Sequence, residues 1–258
     1  MNILVIGDVV GTPGIEAVRR NISKLKEQFN IDFTIVNGEN SADGMGITHK
    51  ILKDLYAFGV DVVTMGNHTW GKKDIFNFID DEDRLIRPAN YPQGVRGKGS
   101  TIVDCKGKKV GVINLIGRVD IGGSFDSPFE AADREIENLK SNGAEIIIID
   151  FHAEATAEKK ALAYYLKEKA NILFGTHTHV QTNDDTIYET GMGYITDVGM
   201  TGPKDSIIGM VPEAALKRFL TQIPERYACA TGDTMLNAVV FMYDEKERRI
   251  SKIEKICL

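Results

Sequence analysis

The sequence predicts an α/β domain with either one mixed sheet or two packed sheets, flanked by outer helices. Three observations carry this expectation. Short apolar, β-branched runs alternate with stretches of helical period, beginning with NILVIG and IEAVRRNISKLKEQF, the pattern of strand–helix–strand units in a parallel sheet. Paired strand-like runs in the middle and in the C-terminal quarter read as hairpins, which add antiparallel pairs. No composition break, linker or internal repeat divides the 258 residues, so one domain spanning 1–258 is expected.

Element by element, residues 2–7 form a continuous apolar run suited to a strand buried on both faces. Residues 13–29 follow with Ile15, Val18, Ile22, Leu25 and Phe29 on one helical stripe. The next strand is 33–36, the next helix 48–58 (striped by Ile51, Leu52 and Leu55), and the third strand 60–65. Residues 72–79 read as a short helix ended by the acidic stretch 80–83. Strands at 100–104 and 109–115 flank Cys105-Lys106-Gly107-Lys108, a hairpin turn. Residues 117–128 are loop-like, 130–141 helical, 145–150 (EIIIID) a strand, 155–169 a helix and 172–175 a short strand. Strand pieces at 186–189 and 193–196 precede a glycine-rich loop, 197–209, and a helix, 212–220. Strands 235–243 and 249–256 close the pattern around a charged turn at 244–248.

Bulk properties set modest limits. Hydrophobic residues at 43% and charged ones at 26% are ordinary for a soluble globular protein. A net charge of −6 argues against broad nucleic-acid binding through a basic surface. Small anionic substrates stay open, because bound metal would dominate the local field. Cys105, Cys229 and Cys257 show no C-x-x-C pattern, which suits a reducing compartment. The first apolar stretch is too short for a signal peptide, and no run is long enough to span a bilayer. Cytoplasmic localisation without membrane association is expected, and a homo-oligomer is compatible with the sequence.

The chemistry lies at the ends of the strand-like runs. Four of five histidines follow such runs, in Gly66-Asn67-His68, Asp150-Phe151-His152 and Gly175-Thr176-His177-Thr178-His179; two earlier runs end in Gly7-Asp8 and Gly38-Glu39-Asn40. In open α/β sheets, functional groups gather beyond the carboxyl ends of strands. Each residue has a bland alternative. Asp8 could cap the following helix, Asn40 and Asn67 could be turn residues, and His152 could be structural. Taken together, carboxylates, carboxamides and imidazoles at one edge make a site for more than one metal ion. His177 and His179, two apart in extended backbone, would point to the same side. A buried Glu39 would carry a heavy desolvation cost unless paired or metal-bound. His49 stands outside the motifs and reads as a surface or structural residue. The stretches 80–83 and Asp184-Asp185 read as solvated turns.

This ordered series resembles the calcineurin-like metallophosphoesterases, with Gly-Asn-His and Gly-x-His-x-His its specific pieces. Most members carry Asp-x-His first, where this chain has Asp8-Val9-Val10, and an Asp second, where it has Glu39-Asn40. Those departures, with Asn37-Gly38-Glu39-Asn40-Ser41-Ala42 and Thr196-Asp197-Val198-Gly199-Met200-Thr201-Gly202-Pro203, resemble the narrower YmdB-like bacterial phosphodiesterases. The resemblance implies a four-layer αββα sandwich with two packed mixed sheets. It implies two metal ions bridged by Glu39, one held by Asp8, Glu39, Asn40 and His179, the other by Glu39, Asn67, His152 and His177. His68 would be the general acid. The implied reaction is hydrolysis of cyclic nucleotides, 2′,3′-cyclic first and 3′,5′-cyclic second, by a hydroxide held between the metals. Oxygen and imidazole ligands without thiolate suit iron or manganese, with zinc compatible; the resemblance favours iron. A phosphomonoesterase would share every ligand, and a metal-dependent nucleotide-sensing regulator would need no general acid. For the pocket wall the candidates are the loops 117–128 and 197–209. Arg118 reads as a phosphate contact or, more simply, a solvated surface residue. Tyr91 and Phe125 read as base-stacking groups or as ordinary packing.

Overall fold

Strand periodicity decides the layering of this molecule, whose computed structural model describes residues 1–226 and 228–258. Six strands form one sheet in the order Arg249–Cys257 (β15), Asn237–Asp244 (β14), Asn2–Ile6 (β1), Phe33–Asn37 (β3), Val62–Thr64 (β4) and Leu85–Ile86 (β5). β1, β3, β4 and β5 run parallel, and the β14–β15 hairpin joins antiparallel at β1. A second sheet has the order Thr186–Ile187 (β10), Gly193–Ile195 (β11), Ile172–Thr176 (β9), Ile146–His152 (β8), Lys108–Ile116 (β7) and Ser100–Cys105 (β6). Its four inner strands are parallel and its two edges antiparallel. A small third sheet joins Thr234–Met235 (β13), Met200–Pro203 (β12) and Asp8–Val9 (β2). The helices are Gly11–Gln28 (α1), His49–Ala57 (α2), Pro128–Ser141 (α3), Thr156–Leu166 (α4) and Pro212–Thr221 (α5).

Alternate residues of each strand belong to different cores. Phe33 and Ile35, Val62, Ile146 and Ile148, and Ile172 and Phe174 meet between the two large sheets. Their neighbours Val36 and Val63 pack on α1 and α2, while Ile147, Ile149, Phe151 and Leu173 pack on α3 and α4. The result is the expected four-layer αββα sandwich of two mixed sheets. Each fully buried Ile, Val or Phe contributes about 1.5–3 kcal/mol to this packing.

The inter-sheet rows then change character at their carboxyl ends. Phe33 and Ile35 lead to Asn37; Val62 leads to Thr64; Ile146 and Ile148 lead to Asp150 and His152; Ile172 and Phe174 lead to Thr176. Along each strand the same face is apolar in the sandwich and polar at its end, and there the site is assembled.

Local chemistry explains the boundaries. Ser127 caps α3 by accepting from the Glu130 N–H, with Pro128 at the first turn, and Thr48 caps α2. Lys106 and Gly107, both at positive φ, make the two-residue turn of the β6–β7 hairpin. Several elements differ from expectation. The helix predicted at 72–79 is a 3₁₀ turn, Lys73–Asn77, with Ile75 its one buried residue, too little apolar surface to anchor α-helical turns. The helix at 155–169 ends at Leu166, and the strand at 186–189 is two residues long. The loop expected over 197–209 contains β12, and β2, β5 and β13 were not foreseen. Strands of two to four residues carry no readable alternation. Among the described residues no helix is long and apolar enough to cross a membrane.

Candidate metal centre

Four atoms of ligand type meet at the end of β8. His152 is fully buried, and around its Nε2 lie Asn67 Oδ1 at 2.8 Å, His177 Nδ1 at 3.0 Å and Glu39 Oε1 at 3.1 Å. The ring's other nitrogen is fixed by the strand rows beneath. Thr176 Oγ1 donates to Asp150 Oδ1 at 2.8 Å, since a carboxylate only accepts, and so takes the His152 Nδ1–H at 2.9 Å. Asp150 Oδ2 in turn accepts from Thr64 Oγ1 at 2.5 Å and Asn37 Nδ2 at 3.1 Å. Two strands of each large sheet therefore hold one imidazole with its Nε2 facing the cluster.

A second locus adjoins it. Asp8 is fully buried in β2; its Oδ2 accepts from the His177 N–H at 3.0 Å, but its Oδ1 has no hydrogen-bond partner. Asp8 Oδ1 lies 3.8 Å from His152 Nδ1 and 4.0 Å from His179 Nε2. His179 donates Nδ1–H to the Ile208 carbonyl at 2.9 Å, which turns Nε2 inward. Asn40 Nδ2 stands 3.2 Å from both His179 Nε2 and Glu39 Oε1, with its Oδ1 2.7 Å from His68 Nδ1. Turning the Asn40 amide by 180° exchanges O and N at these positions and would present Oδ1 toward His179 and Glu39. Glu39, 1% exposed, lies between the loci: Oε1 faces His152 and Asn40, and Oε2 accepts from the His68 N–H at 2.8 Å.

The electrostatics call for positive charge. Burial pushes the Asp8 carboxyl up, and His179 and His152 offset this only in part. Burial also pushes Glu39 up, but His152 and His68 outweigh it and hold the carboxyl at about 2. Burial favours neutral His152, yet Glu39 and Asp8 raise it to about 9. Two buried carboxylates thus draw a proton onto His152, the charge a metal ion would supply instead. Burial and the neighbouring His152 lower His177 to about 3, which keeps that ring neutral. Among the described residues, Glu39, His152 and His177 form a group of carboxylate and imidazole ligands whose atoms lie within 4.8 Å of one another. The donor set and the orphaned Asp8 oxygen fit metal binding through oxygen and imidazole ligands.

Of the eight candidate site residues, Glu39, Asn40, His68, His177 and His179 line a cleft of about 300 Å³; Asp8 and His152 join them through His177 and Glu39, and Asn67 through His152. The capping role for Asp8 is overturned: the helix start follows Val10 without a side-chain cap. His177 and His179 are not extended; their φ angles are +106° and +65°. Arg118 is exposed, with its backbone N–H on Glu158. Tyr91 and Phe125 pack edge to face on each other at 5.1 Å, and Tyr91 on Trp70 at 5.8 Å. His49 is exposed at the start of α2, stacked on Phe78.

Supporting residues were missed in the sequence, Thr176 among them. Glu154 Oε2 lies 3.2 Å from His177 Nε2 and so orients that ring's Nδ1 toward His152. Lys159 and Asp197, both fully buried, form an ion pair at 2.7 Å, and Asp197 accepts the Thr178 N–H. Asp150 completes the support of His152. The signal was present in Phe151-His152-Ala153-Glu154-Ala155-Thr156-Ala157-Glu158-Lys159, where charged residues crowd directly after a strand-end histidine.

Comparisons with known proteins bear on the family and the fold. A family model described as YmdB-like protein matches residues 4–256. A Bacillus subtilis protein named 2′,3′-cyclic-nucleotide 2′-phosphodiesterase is 50% identical over 258 residues, covering 100% of this chain and 97% of that protein. The crystal structure of a hypothetical protein from Thermus thermophilus is similar at a TM-score of 0.93 and 38% identity, covering 100% of this chain and 99% of that one. A Mycoplasma pneumoniae structure described as a novel phosphatase has a TM-score of 0.93 and 33% identity, with 100% and 93% covered.

Proposed function

The chain belongs to the YmdB-like family, and from that premise we propose that it is a dinuclear-metal phosphodiesterase, one domain over 1–258, working in the cytoplasm. Its proposed substrates are cyclic nucleotides, 2′,3′-cyclic first and 3′,5′-cyclic second. The reading rests on the buried meeting of Glu39 Oε1, Asn67 Oδ1, His152 Nε2 and His177 Nδ1 beside the unpartnered Asp8 Oδ1, in a chain half identical to a named phosphodiesterase.

Asp8, Glu39, Asn40 and His179 would hold one ion, and Glu39, Asn67, His152 and His177 the other. Iron is the proposed metal, with manganese or zinc as the alternatives. Bound there, the pair supplies Lewis acidity, making water a nucleophile at neutral pH and neutralising charge on the phosphoryl oxygens. The chain's own residues do the rest. Glu39 places a charge between the loci and fixes the His68 backbone through its Oε2. His68 is about one-third exposed and meets Asn40 through Nδ1, in either orientation of the amide. Among the described residues nothing bonds His68 Nε2, so this is the nitrogen left to protonate the departing sugar oxygen.

The test is elemental analysis of untreated protein together with hydrolysis of 2′,3′-cyclic nucleotides, p-nitrophenyl phosphate and nucleoside monophosphates. Two metals per chain and a preference for the cyclic diesters are expected. His68→Ala should keep its metal while kcat falls about 10²–10⁴-fold; metal loss in that variant would make His68 a ligand instead. A second reading, phosphomonoesterase, draws on the relative described as a phosphatase, and a preference for the monoesters would establish it.

A further inference from the structure

A second cavity, of about 440 Å³, adjoins the metal cleft and shares His179 and Ile208 with it as a common wall. Its size falls within the usual range for small-molecule sites. Val180, Met200, Ile208 and Met235 line it, with Lys204 as its one cation. Among the described residues no carboxylate lies within ion-pair distance of Lys204, and its side chain is exposed.

Ile208 is the unusual member. It is a β-branched residue at φ +48°, in the left-handed region that favours glycine. Its carbonyl orients His179, and its side chain is 54% exposed. Val180, on the same cavity, is 60% exposed. The carbonyl's task needs no side chain, and glycine would perform it with less strain. Keeping isoleucine there costs backbone energy and leaves apolar surface in water, the kind of strain that gathers at ligand contacts. The side chain therefore has a use of its own.

We propose that this cavity is the base subsite: the nucleobase of the cyclic nucleotide lies against Ile208, Val180, Met200 and Met235 while its phosphodiester occupies the metal cleft. This rests on the reading of that cleft as a phosphodiesterase site. A base offers flat apolar faces and an edge of hydrogen-bonding groups; the cavity offers methyl and thioether groups and the Lys204 ammonium, while Gln181, Ser206 and Asn237 on its wall donate to backbone carbonyls. A second phosphate would call for more donors than Lys204 provides. Tyr91 and Phe125, occupied with each other, are not needed for stacking.

The experiment compares adenosine 2′,3′-cyclic phosphate with the base-less ribose 2′,3′-cyclic phosphate, on wild type, Ile208→Gly and Met235→Trp. Each variant should reduce the preference for the nucleotide over the base-less ester about tenfold, mainly through KM. Ile208→Gly should not lower the thermal midpoint, because it relieves the positive φ. Equal losses on both esters would mean that Ile208 acts only through His179, and an unchanged preference would remove the subsite altogether. Calorimetric titration with adenosine separates this proposal from the one it rests on. A protein that binds adenosine, and loses that binding in Met235→Trp, keeps the subsite even if neither ester is hydrolysed. Adenosine bound equally by the two proteins, or by neither, overturns it.

Discussion

His152 shows how a single residue acquires a role from those beneath it. Its ligand nitrogen is set by Thr176, which can accept the Nδ1–H only because its own proton goes to Asp150. Thr176→Val keeps the shape but leaves a buried N–H and a carboxylate oxygen without their partner. Supporting contacts of this kind typically carry 10–100-fold in metal affinity, so titration of chelator-stripped protein with Mn²⁺ should show a loss of that size. Thr176→Ser should restore most of it. A valine variant with wild-type affinity would show that packing alone orients the ring. The ligand candidates were legible because carboxylate, amide and imidazole at successive strand ends are an improbable set. Thr176 and Asp150 were not, since threonine and aspartate are common at strand ends. Only the pairing of β8 with β9, His152 beside Thr176, gives them a task.

At the scale of elements, the segment Thr196-Asp197-Val198-Gly199 is wedged between strand ends. Its Val198 N–H bonds the Gly175 carbonyl at 2.9 Å, and Asp197 joins it to Lys159 of α4. Beyond it, β12 pairs with β2, Met200 beside Asp8, and so positions a candidate ligand. Close approach is what the flanking glycines permit. A Cβ on Gly175 would stand 1.8 Å from Thr196 O, and one on Gly7 1.8 Å from Gly199 O. Backbone cannot yield as a flexible side chain can. Gly175→Ala should therefore cost about 1–3 kcal/mol, with a matching fall in thermal midpoint and reduced metal occupancy. Gly122→Ala, which meets nothing within 4 Å, is the control and should stay within about 0.5 kcal/mol. An unshifted midpoint for Gly175→Ala would mean that the wedge moves freely. The long strands were readable from their apolar runs. Residues 197–199 were read as part of a glycine-rich loop and are irregular in backbone; their fixed position was not legible because it comes from partners distant in sequence.

At the scale of the whole molecule, sequence period could not choose between one mixed sheet and two, because a strand buried on both faces reads alike in either. The choice appears only when alternate residues fall into separate cores on the two faces of each sheet. Its stability should depend on pH through carboxylates far from the metal cleft. Burial pushes Asp32, Asp133 and Asp184 up, but in each case the opposing contacts prevail and the carboxyl sits below its ordinary 3.8. Lys106 and the Asn2 N–H act on Asp32, Lys169 and Tyr165 on Asp133, and Thr196 and Thr182 on Asp184. A depressed carboxyl contributes stability that is present above the unfolded value and lost as pH falls through the folded one, because the unfolded chain takes up the proton first. Asp61 has the opposite sign: burial raises it despite the Thr34 N–H, so its contribution is present at acid pH and lost on going up. Among the described residues outside the cleft the depressed carboxyls, Glu16, Asp83 and Asp244 as well as these three, outnumber the raised Asp61, so stability should fall below about pH 4. Urea midpoints measured at pH 7, 5, 4 and 3, with chelator present so that metal release adds no slope, should decline across the last two. Asp61→Asn removes the opposing contribution and should steepen that decline. A midpoint that holds or rises between pH 4 and 3 would mean that these contacts persist in the unfolded chain, or that Asp61 outweighs them all.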